Sequence, residues 1–513
     1  MTKPDASPRV AEAEALVNKL WSYCNVLRDD GVSVTDYVEQ LTYLLFLKMA
    51  HEQKTRRLNP VDILGGLDAW QILFDAEGRE LEEAYTKILL QLAEKGGTLG
   101  RIFQKAQNRI QDPAKLKRLI RELIGKENWS GTGVDIKGDA YEALLAKGAE
   151  DVKSGAGQYF TPRDLIGAIV DCMQPTPDDS IVDPACGTGG FLLSASEYIQ
   201  NHHDRGLTPE QRERLSAGAI RGNELVDATA RLAAMNLLLH GIGQPNGESL
   251  IDVGDALAKP PTRHASLVLA NPPFGKKSSI MVFGEDDEIE RKDLAYHRLD
   301  FWVTTSNKQL NFVQHIYTLL QTGGRAAVVI PDNVLFEGGP GETLRRRLLQ
   351  QCDVHTLLRL PAGIFYAGGV KANVLFFDKL SPRADGKPQT KKLWVYDFRT
   401  NQHFTLKQKR LLRNDLDDFV AAYRPGESRE LRQPSAQFKP YGIDELLKRE
   451  LVDLRLLADV EDESVGSEDD LLEPHVIADE IAQELESALA ELMSLADALR
   501  PEGLALQDVE RGE

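Results

Sequence analysis

The stretch Leu267-Val268-Leu269-Ala270-Asn271-Pro272-Pro273-Phe274 constrains the fold more than any other part of the chain. Four apolar residues in a row suit the end of a strand buried on both faces, as in a parallel sheet. Two consecutive prolines lack N–H donors and have φ fixed, so the strand stops there. The stop leaves two rigid acceptors, the Asn271 side-chain oxygen and the Pro272 carbonyl, beside the ring of Phe274. Two such acceptors can hold both N–H bonds of an amino group on a planar base. The ring can stack on the base face, a contact worth roughly 1–3 kcal/mol. Taken alone, the same residues also describe a plain Pro-Pro turn, so the neighbouring strand ends must decide.

From about residue 157, short apolar runs alternate with helix-like segments, the pattern of an α/β domain with a mostly parallel sheet. Ile181-Val182 leads into Asp183, then Gly187-Thr188-Gly189-Gly190, then a helix toward Ile199. Glycines allow close backbone approach to a ligand, and a helix start favours an anionic group. Asp183, however, would repel a pyrophosphate; it suits a ligand carrying an ammonium and a sulfonium. No GxxxxGK[ST] phosphate loop occurs anywhere. A second unit places Glu224 just after a strand, where a carboxylate can accept two ribose hydroxyls. A third offers Asp252 and Asp255, either able to receive an adenine amino group. Each acid alone fits a solvated loop. Four suitable strand ends in one alternating sheet are harder to obtain by chance, since ligands in such sheets bind beyond the carboxyl ends of the strands.

Composition narrows the class. At 513 residues, 42% hydrophobic and 27% charged, the chain can build two or three folded domains. Cys24, Cys172, Cys186 and Cys352 are scattered without a CxxC pair, which fits a reduced, cytoplasmic protein with neither a zinc site nor a disulfide framework. No apolar run is long enough to span a membrane. The net charge of −18 is unusual for a chain that grips DNA by itself. Either the substrate is not DNA or another subunit supplies the grip. Local positive charge still exists at Lys276-Lys277, Arg291-Lys292 and the triplet Arg345-Arg346-Arg347, the last of which fits a solvated face at least as well.

The motifs, in order, carry a resemblance. Gln158-Tyr159-Phe160-Thr161-Pro162-Arg163, the Asp183 glycine loop, Glu224, Asp255 and Asn271–Phe274 resemble an S-adenosylmethionine-dependent amino-methyltransferase of DNA, in the order of the gamma-class N6-adenine enzymes. Adding Leu20–Gly31, Asp139–Leu145, Ile330–Phe336 and Leu360–Phe377, nearly the whole chain is similar to the modification (methyltransferase) subunit of type I restriction–modification systems. The resemblance implies that Gln158 to Arg163 close over the methionine end of S-adenosylmethionine. Asp183, Gly187, Thr188, Gly189 and Gly190 would line the cofactor, with Glu224 on its ribose and Asp255 near its adenine. Asn271, Pro272 and Pro273 would hold the target amine, and Phe274 would stack on the flipped base opposite a second aromatic wall, Phe365. No metal is needed. Implied partners are double-stranded DNA, a specificity subunit, a second copy of the chain in an assembly of two modification subunits and one specificity subunit, and a restriction subunit, with no membrane. A protein (glutamine) or RNA amino-methyltransferase, a cytosine-N4 enzyme and a non-catalytic cofactor-binding scaffold are the alternatives.

The expected fold is thus a Rossmann-like methyltransferase domain over residues 151–425, preceded by an all-α domain over 1–150. Ser33 or Thr35 is expected to cap a helix with an apolar stripe from Tyr37 to Met49. The compositions after Trp129 and Lys153 read as loops. Residues 426–474 read as a polar and acidic linker, and 475–513 as an amphipathic helix ended by Pro501. Ala478, Ile481, Leu485, Ala488, Leu492, Leu495 and Leu499 of that helix form a coiled-coil seam suited to docking on the specificity subunit.

Overall fold

The structure, a computed structural model, describes residues 18–23, 27, 32–56, 60–129, 161–203, 206–274, 279–283, 289–293, 295–365, 371–399, 404, 410–449 and 452–455. The expected terminal helix at 475–513 lies outside them, as do Gln158, Tyr159, Phe160, Lys276 and Lys277.

The first layer is helical. Of the two candidate caps, Ser33 accepts from the Asp36 backbone N–H (3.1 Å) and starts the helix Val34–Lys54. Tyr37, Leu41, Leu44, Leu45 and Met49, which make one broad apolar face, are all buried. Helices Ala69–Asp75, Gly78–Glu94, Gly97–Phe103 and Pro113–Arg118 pack around it, and the last runs on into a π turn, Leu119–Ile124. Trp129, in a stretch expected to be loop, is fully buried, and its indole N–H donates to the Ile124 carbonyl (3.0 Å). It closes the π turn and belongs to the helical layer.

Behind that layer lies a sheet built from β1 (Ile181–Asp183), β2 (Ile220–Glu224), β3 (Ile251–Val253), β4 (Ala265–Ala270), β7 (Leu320–Pro331), β8 (Cys352–Arg359), β9 (Ala372–Lys379), β10 (Lys392–Asp397) and β11 (Phe438–Gly442). Their order is β11-β10-β8-β9-β7-β4-β1-β2-β3. Five pairings are parallel; the exceptions are β9 against both its neighbours and β11 at the edge. β5 (Ser279–Phe283) and β6 (Ile289–Asp293), which includes Arg291-Lys292, form a separate antiparallel hairpin for which the sequence carries no clear signal. Side chains alternate across the sheet: Leu267 and Leu269 join one core, Val268 and Ala270 the other. The core holding Leu267 is continuous with the helical layer. That layer docks on the helix Asp227–Leu239 through Arg231 to Glu39 (2.9 Å) and Gln53 to the Leu239 carbonyl (2.8 Å). Among the described residues no helix is long and apolar enough to cross a membrane.

Two expectations need correction. The stretch read as a linker from 426 contains β11, whose Phe438 is fully buried against Trp394 (ring centroids 4.7 Å apart). Pro440 pairs with Trp394 there, which only an edge strand tolerates, and so disguised the strand. Arg345 is no surface charge. It is 2% exposed and donates to the carbonyls of Val334, Glu337 and Val452, tying the last described segment to the sheet domain.

At the N-terminal ends of β1, β4 and β7, Arg325 donates both terminal nitrogens to Asp179 (2.9 Å each), and Ser266 Oγ donates to Asp179 Oδ1 (2.6 Å). Burial opposes ionisation of Asp179, but Arg325 and Ser266 outweigh it and hold the carboxyl down at about 2. A depressed folded pKa contributes stability that is present above about pH 4 and lost as pH falls toward 2. Arg325→Met should leave a buried carboxylate unpaired and cost about 3 kcal/mol in urea unfolding at pH 7. The loss should shrink as pH falls from 4 toward 2; a pH-independent loss would dismiss the pair as the cause.

Candidate active site

The strand order reverses around β1, with β4 on one side and β2 on the other, which opens a crevice beyond the carboxyl ends of these strands. Val182 pairs with Val268, so Asp183 at the end of β1 and Asn271 just past β4 lie on adjacent strand ends. The residues expected at this crevice from 183–190, 224, 255 and 271–274 therefore gather along one sheet edge.

Asp183 is buried, and its Oδ1 accepts from the Ala185 N–H (2.9 Å), which bends the chain out of the strand. Burial raises this carboxyl most, the Ala185 N–H lowers it and the charge of Glu224 raises it again, so that it is pushed up to about 8. The loop turns through Gly187 (φ 55°) and Gly189 (φ 88°) into the helix Gly190–His203. A Cβ added to Gly187 would meet nothing within 4 Å, so the outer side of the loop is an open cradle. The inner side is tight. A Cβ on Gly222 would lie 2.7 Å from Cys186 Sγ and 2.9 Å from Ile251 Cδ1. Sequence reasoning passed over Gly222, because its role is set by a neighbour 36 residues away.

Glu224 closes β2. Its two oxygens accept from the backbone N–H groups of Gly187 (3.0 Å) and Val226 (2.9 Å), which fixes the carboxylate while each oxygen keeps a second lone pair. Asp252 lies exposed on β3; Asp255 sits past it and accepts from the Leu257 N–H (2.9 Å) and the Tyr296 hydroxyl (2.6 Å). Tyr296 was not singled out in the sequence, which carries no signal linking positions 255 and 296.

Asn271 Nδ2 donates to Thr161 Oγ1 (2.8 Å). This bond joins Thr161 to the strand-end corner and leaves Asn271 Oδ1 at the other end of the amide. Thr161 and Pro162 are followed by the helix Arg163–Met173, on which Arg163 is the first residue. Pro272 is buried, and Phe274 meets Phe365 edge to face, with centroids 5.7 Å apart and planes at 87°. The two rings meet nearly at a right angle and make a corner.

A family model described as N-6 DNA Methylase matches residues 132–450, and one described as the HsdM N-terminal domain matches residues 16–123. The chain belongs to the N-6 DNA methylase family. It is 40% identical over 420 residues to the type I restriction enzyme StySPI methylase subunit of Salmonella potsdam, covering 80% of this chain and 76% of that one. It is 42% identical over 398 residues to the EcoKI methylase subunit of Escherichia coli, covering 75% and 72%. The crystal structure of the EcoKI M protein aligns over 95% of this chain and 97% of its own, with TM-score 0.50 and 32% identity. The chain is thus a modification subunit of the type I class, an adenine-specific DNA methyltransferase of the S-adenosylmethionine-dependent kind. This family membership displaces the glutamine, RNA and scaffold alternatives.

Gly222→Ala should cost about 1–3 kcal/mol in unfolding by forcing Cys186 and its loop outward. Adding Cys186→Ala, which removes the nearest atom, should recover part of that loss in a double-mutant cycle; strictly additive effects would reject the contact.

Proposed function

We infer that the crevice between β1 and β4 holds S-adenosylmethionine against the 183–190 loop and an extruded adenine against the 271–274 corner. The observation that carries this reading is the Asn271–Thr161 hydrogen bond on the strand next to Asp183. The donor set fits the cofactor. A buried carboxylate suits an ammonium and a sulfonium, Glu224 suits a ribose diol, and the open side of Gly187 admits a bulky group. When bound, S-adenosylmethionine supplies an already electrophilic methyl group, so this chain's residues need only position and polarise the amine.

The amino nitrogen of adenine shares its lone pair with the ring and is a poor nucleophile. Asn271 Oδ1 and the Pro272 carbonyl accept its two N–H bonds and favour the tetrahedral nitrogen of the transition state. Phe274 stacks on the base, which offsets part of the few kcal/mol spent on extruding it. Phe365 braces Phe274 from the side and closes the corner. Thr161 positions the Asn271 amide. Gln158 to Phe160 and Arg163 complete the cofactor site, and Asp255, steadied by Tyr296, meets the cofactor's adenine.

The partners follow from charge and kinship. A chain of net charge −18 needs help to hold duplex DNA, and its relatives are named as subunits of larger enzymes. Sequence reading thus belongs to a specificity subunit, docked by residues 475–513, with two copies of this chain around the duplex and a restriction subunit in the larger complex. Lys276 and Lys277, just past Phe274, add backbone contacts.

Asn271→Ala should lower single-turnover methyl transfer by at least 100-fold while cofactor affinity stays within about twofold. Thr161→Val should lower transfer less, since it only loosens the amide. Full transfer in Asn271→Ala would remove the acceptor role. A second expectation concerns protons. Asp183 is protonated below about pH 8 in the free protein, and a cation beside it favours the carboxylate. Cofactor binding at pH 7 should therefore release close to one proton, and affinity should rise with pH up to about 8. Calorimetry in buffers of different ionisation enthalpy reads this directly. Asp183→Asn should abolish the release; release that persists would take Asp183 out of the site.

A further inference from the structure

A cavity of about 510 Å³ opens at the same sheet edge, away from the crevice between β1 and β4. Its wall carries five cations, Arg359, Lys371, Arg399, Arg449 and Arg455, against two carboxylates, Asp332 and Asp453. In a chain with eighteen more acidic than basic residues, this excess of positive charge runs against composition. Both carboxylates are already engaged. Asp332 accepts from Arg359 (3.1 Å) and from Asn373 (2.7 Å), and Asp453 accepts from Arg455. Two further acids stand close by, Asp397 on Arg399 (2.9 Å) and Glu445 on Arg449 (3.0 Å). A guanidinium has five N–H donors, so one carboxylate does not exhaust it. Arg455 is also fixed over the Phe336 ring, 4.2 Å from its centroid. Lys371 is exposed and has no side-chain partner among the described residues.

The position of the cavity bears on its use. Arg359 ends β8, and Asn271 follows β4, three strands away in the order β8-β9-β7-β4. At ~4.8 Å per strand the separation is ~14 Å. That span is on the order of a few nucleotides of one DNA strand. The chain that leaves Arg359 reaches Phe365 six residues later, at the aromatic corner with Phe274. One short connection thus joins the floor of the cavity to the place where the extruded base would stack.

We propose that this cavity binds backbone phosphate of the DNA strand flanking the target adenine. Lys371 and Arg449 make the contacts, and Arg359, Arg399 and Arg455 form a fixed cationic floor. The proposal rests on the reading of the 271–274 corner as the base site, which sets where the strand must run. Its role is positional. It holds the backbone while the nucleotide turns out, and reads no sequence.

The test uses the assembled methyltransferase, full chain with its specificity subunit, and a fluorescent DNA duplex with or without the recognition sequence. Lys371→Gln combined with Arg449→Gln should raise Kd for both duplexes on the order of tenfold. It should lower the slope of log Kd against log salt concentration by about 1 for each phosphate that is no longer neutralised. Cofactor affinity should not move. Arg383→Gln, at the opposite edge of the sheet, should change none of these. If the double variant unfolds, Lys371→Gln alone carries the test. An unchanged Kd and salt slope in Lys371→Glu with Arg449→Glu would overturn the proposal. So would loss of the specificity subunit on a sizing column with DNA affinity intact in the remaining complex, which would make the cavity a protein contact. Wild-type enzyme that binds DNA with the full salt slope yet transfers no methyl group would break the reading of the corner and leave the salt result to judge the cavity.

Discussion

The parallel pairing of β1 with β4 is the constraint on which the site depends. Asp183 and Asn271 are 88 positions apart in sequence, and nothing but strand register brings their ends level. A slip of one residue would turn every side chain of β4 to the opposite face and move Asn271 off the crevice. The register is held from the far end. Ser180 N–H donates to Ser266 Oγ (2.9 Å), Ser266 N–H donates to the Ser180 carbonyl (3.0 Å), and Ser266 Oγ donates to Asp179, which Arg325 of β7 grips with two nitrogens. Three parallel strands are thus pinned where no chemistry occurs, which frees their other ends to carry groups chosen for binding. Arg325 also donates to the carbonyls of Met173 and Gln174, so the helix that begins just after Thr161 is anchored to the same post. The Thr161–Asn271 bond spans elements that the one ion pair has already aligned.

How much of this was legible in the sequence depends on the reach of each signal. The strand end at 267–274 and the loop at 183–190 were readable because backbone chemistry forces them locally: prolines end a strand, and glycines take positive φ. Glu224 and Asp255 were readable because their strands repeat the same unit. What escaped depends on distant partners. Gly222 is small because Cys186 comes to rest on it. Tyr296 matters because it folds back on Asp255. Arg345 looked like one of three surface charges, yet three carbonyls from two segments converge on it. β11 was hidden by its own composition, since an edge strand pairs along one side only and so tolerates a lysine and a proline that would end an inner strand.

The electrostatic design separates two tasks that a basic protein would merge. A DNA binder that covers its surface with cations gains affinity everywhere and register nowhere, because phosphate contacts carry no sequence information. Here the overall charge is negative, and two cations of the described cavity are held in place by partners at least half-buried: Arg359 on Asp332 and Asn373, Arg399 on Asp397. Each pairing lowers the net charge but fixes a guanidinium that would otherwise sweep a wide volume. Such a site loses non-specific pull and gains a defined position for the backbone. At the opposite extreme Asp183 is kept where its charge is costly, with one backbone N–H as its hydrogen-bond donor. A solvated carboxylate would attract any cation weakly. A buried one, held largely neutral, becomes fully charged only when a cation enters beside it, so under the proposed function its ionisation is coupled to cofactor binding. On the proposed reading, the sheet presents along one edge a carboxyl that ionises as the cofactor binds and a cationic floor set for the strand. The aromatic corner between them sits where the two must meet.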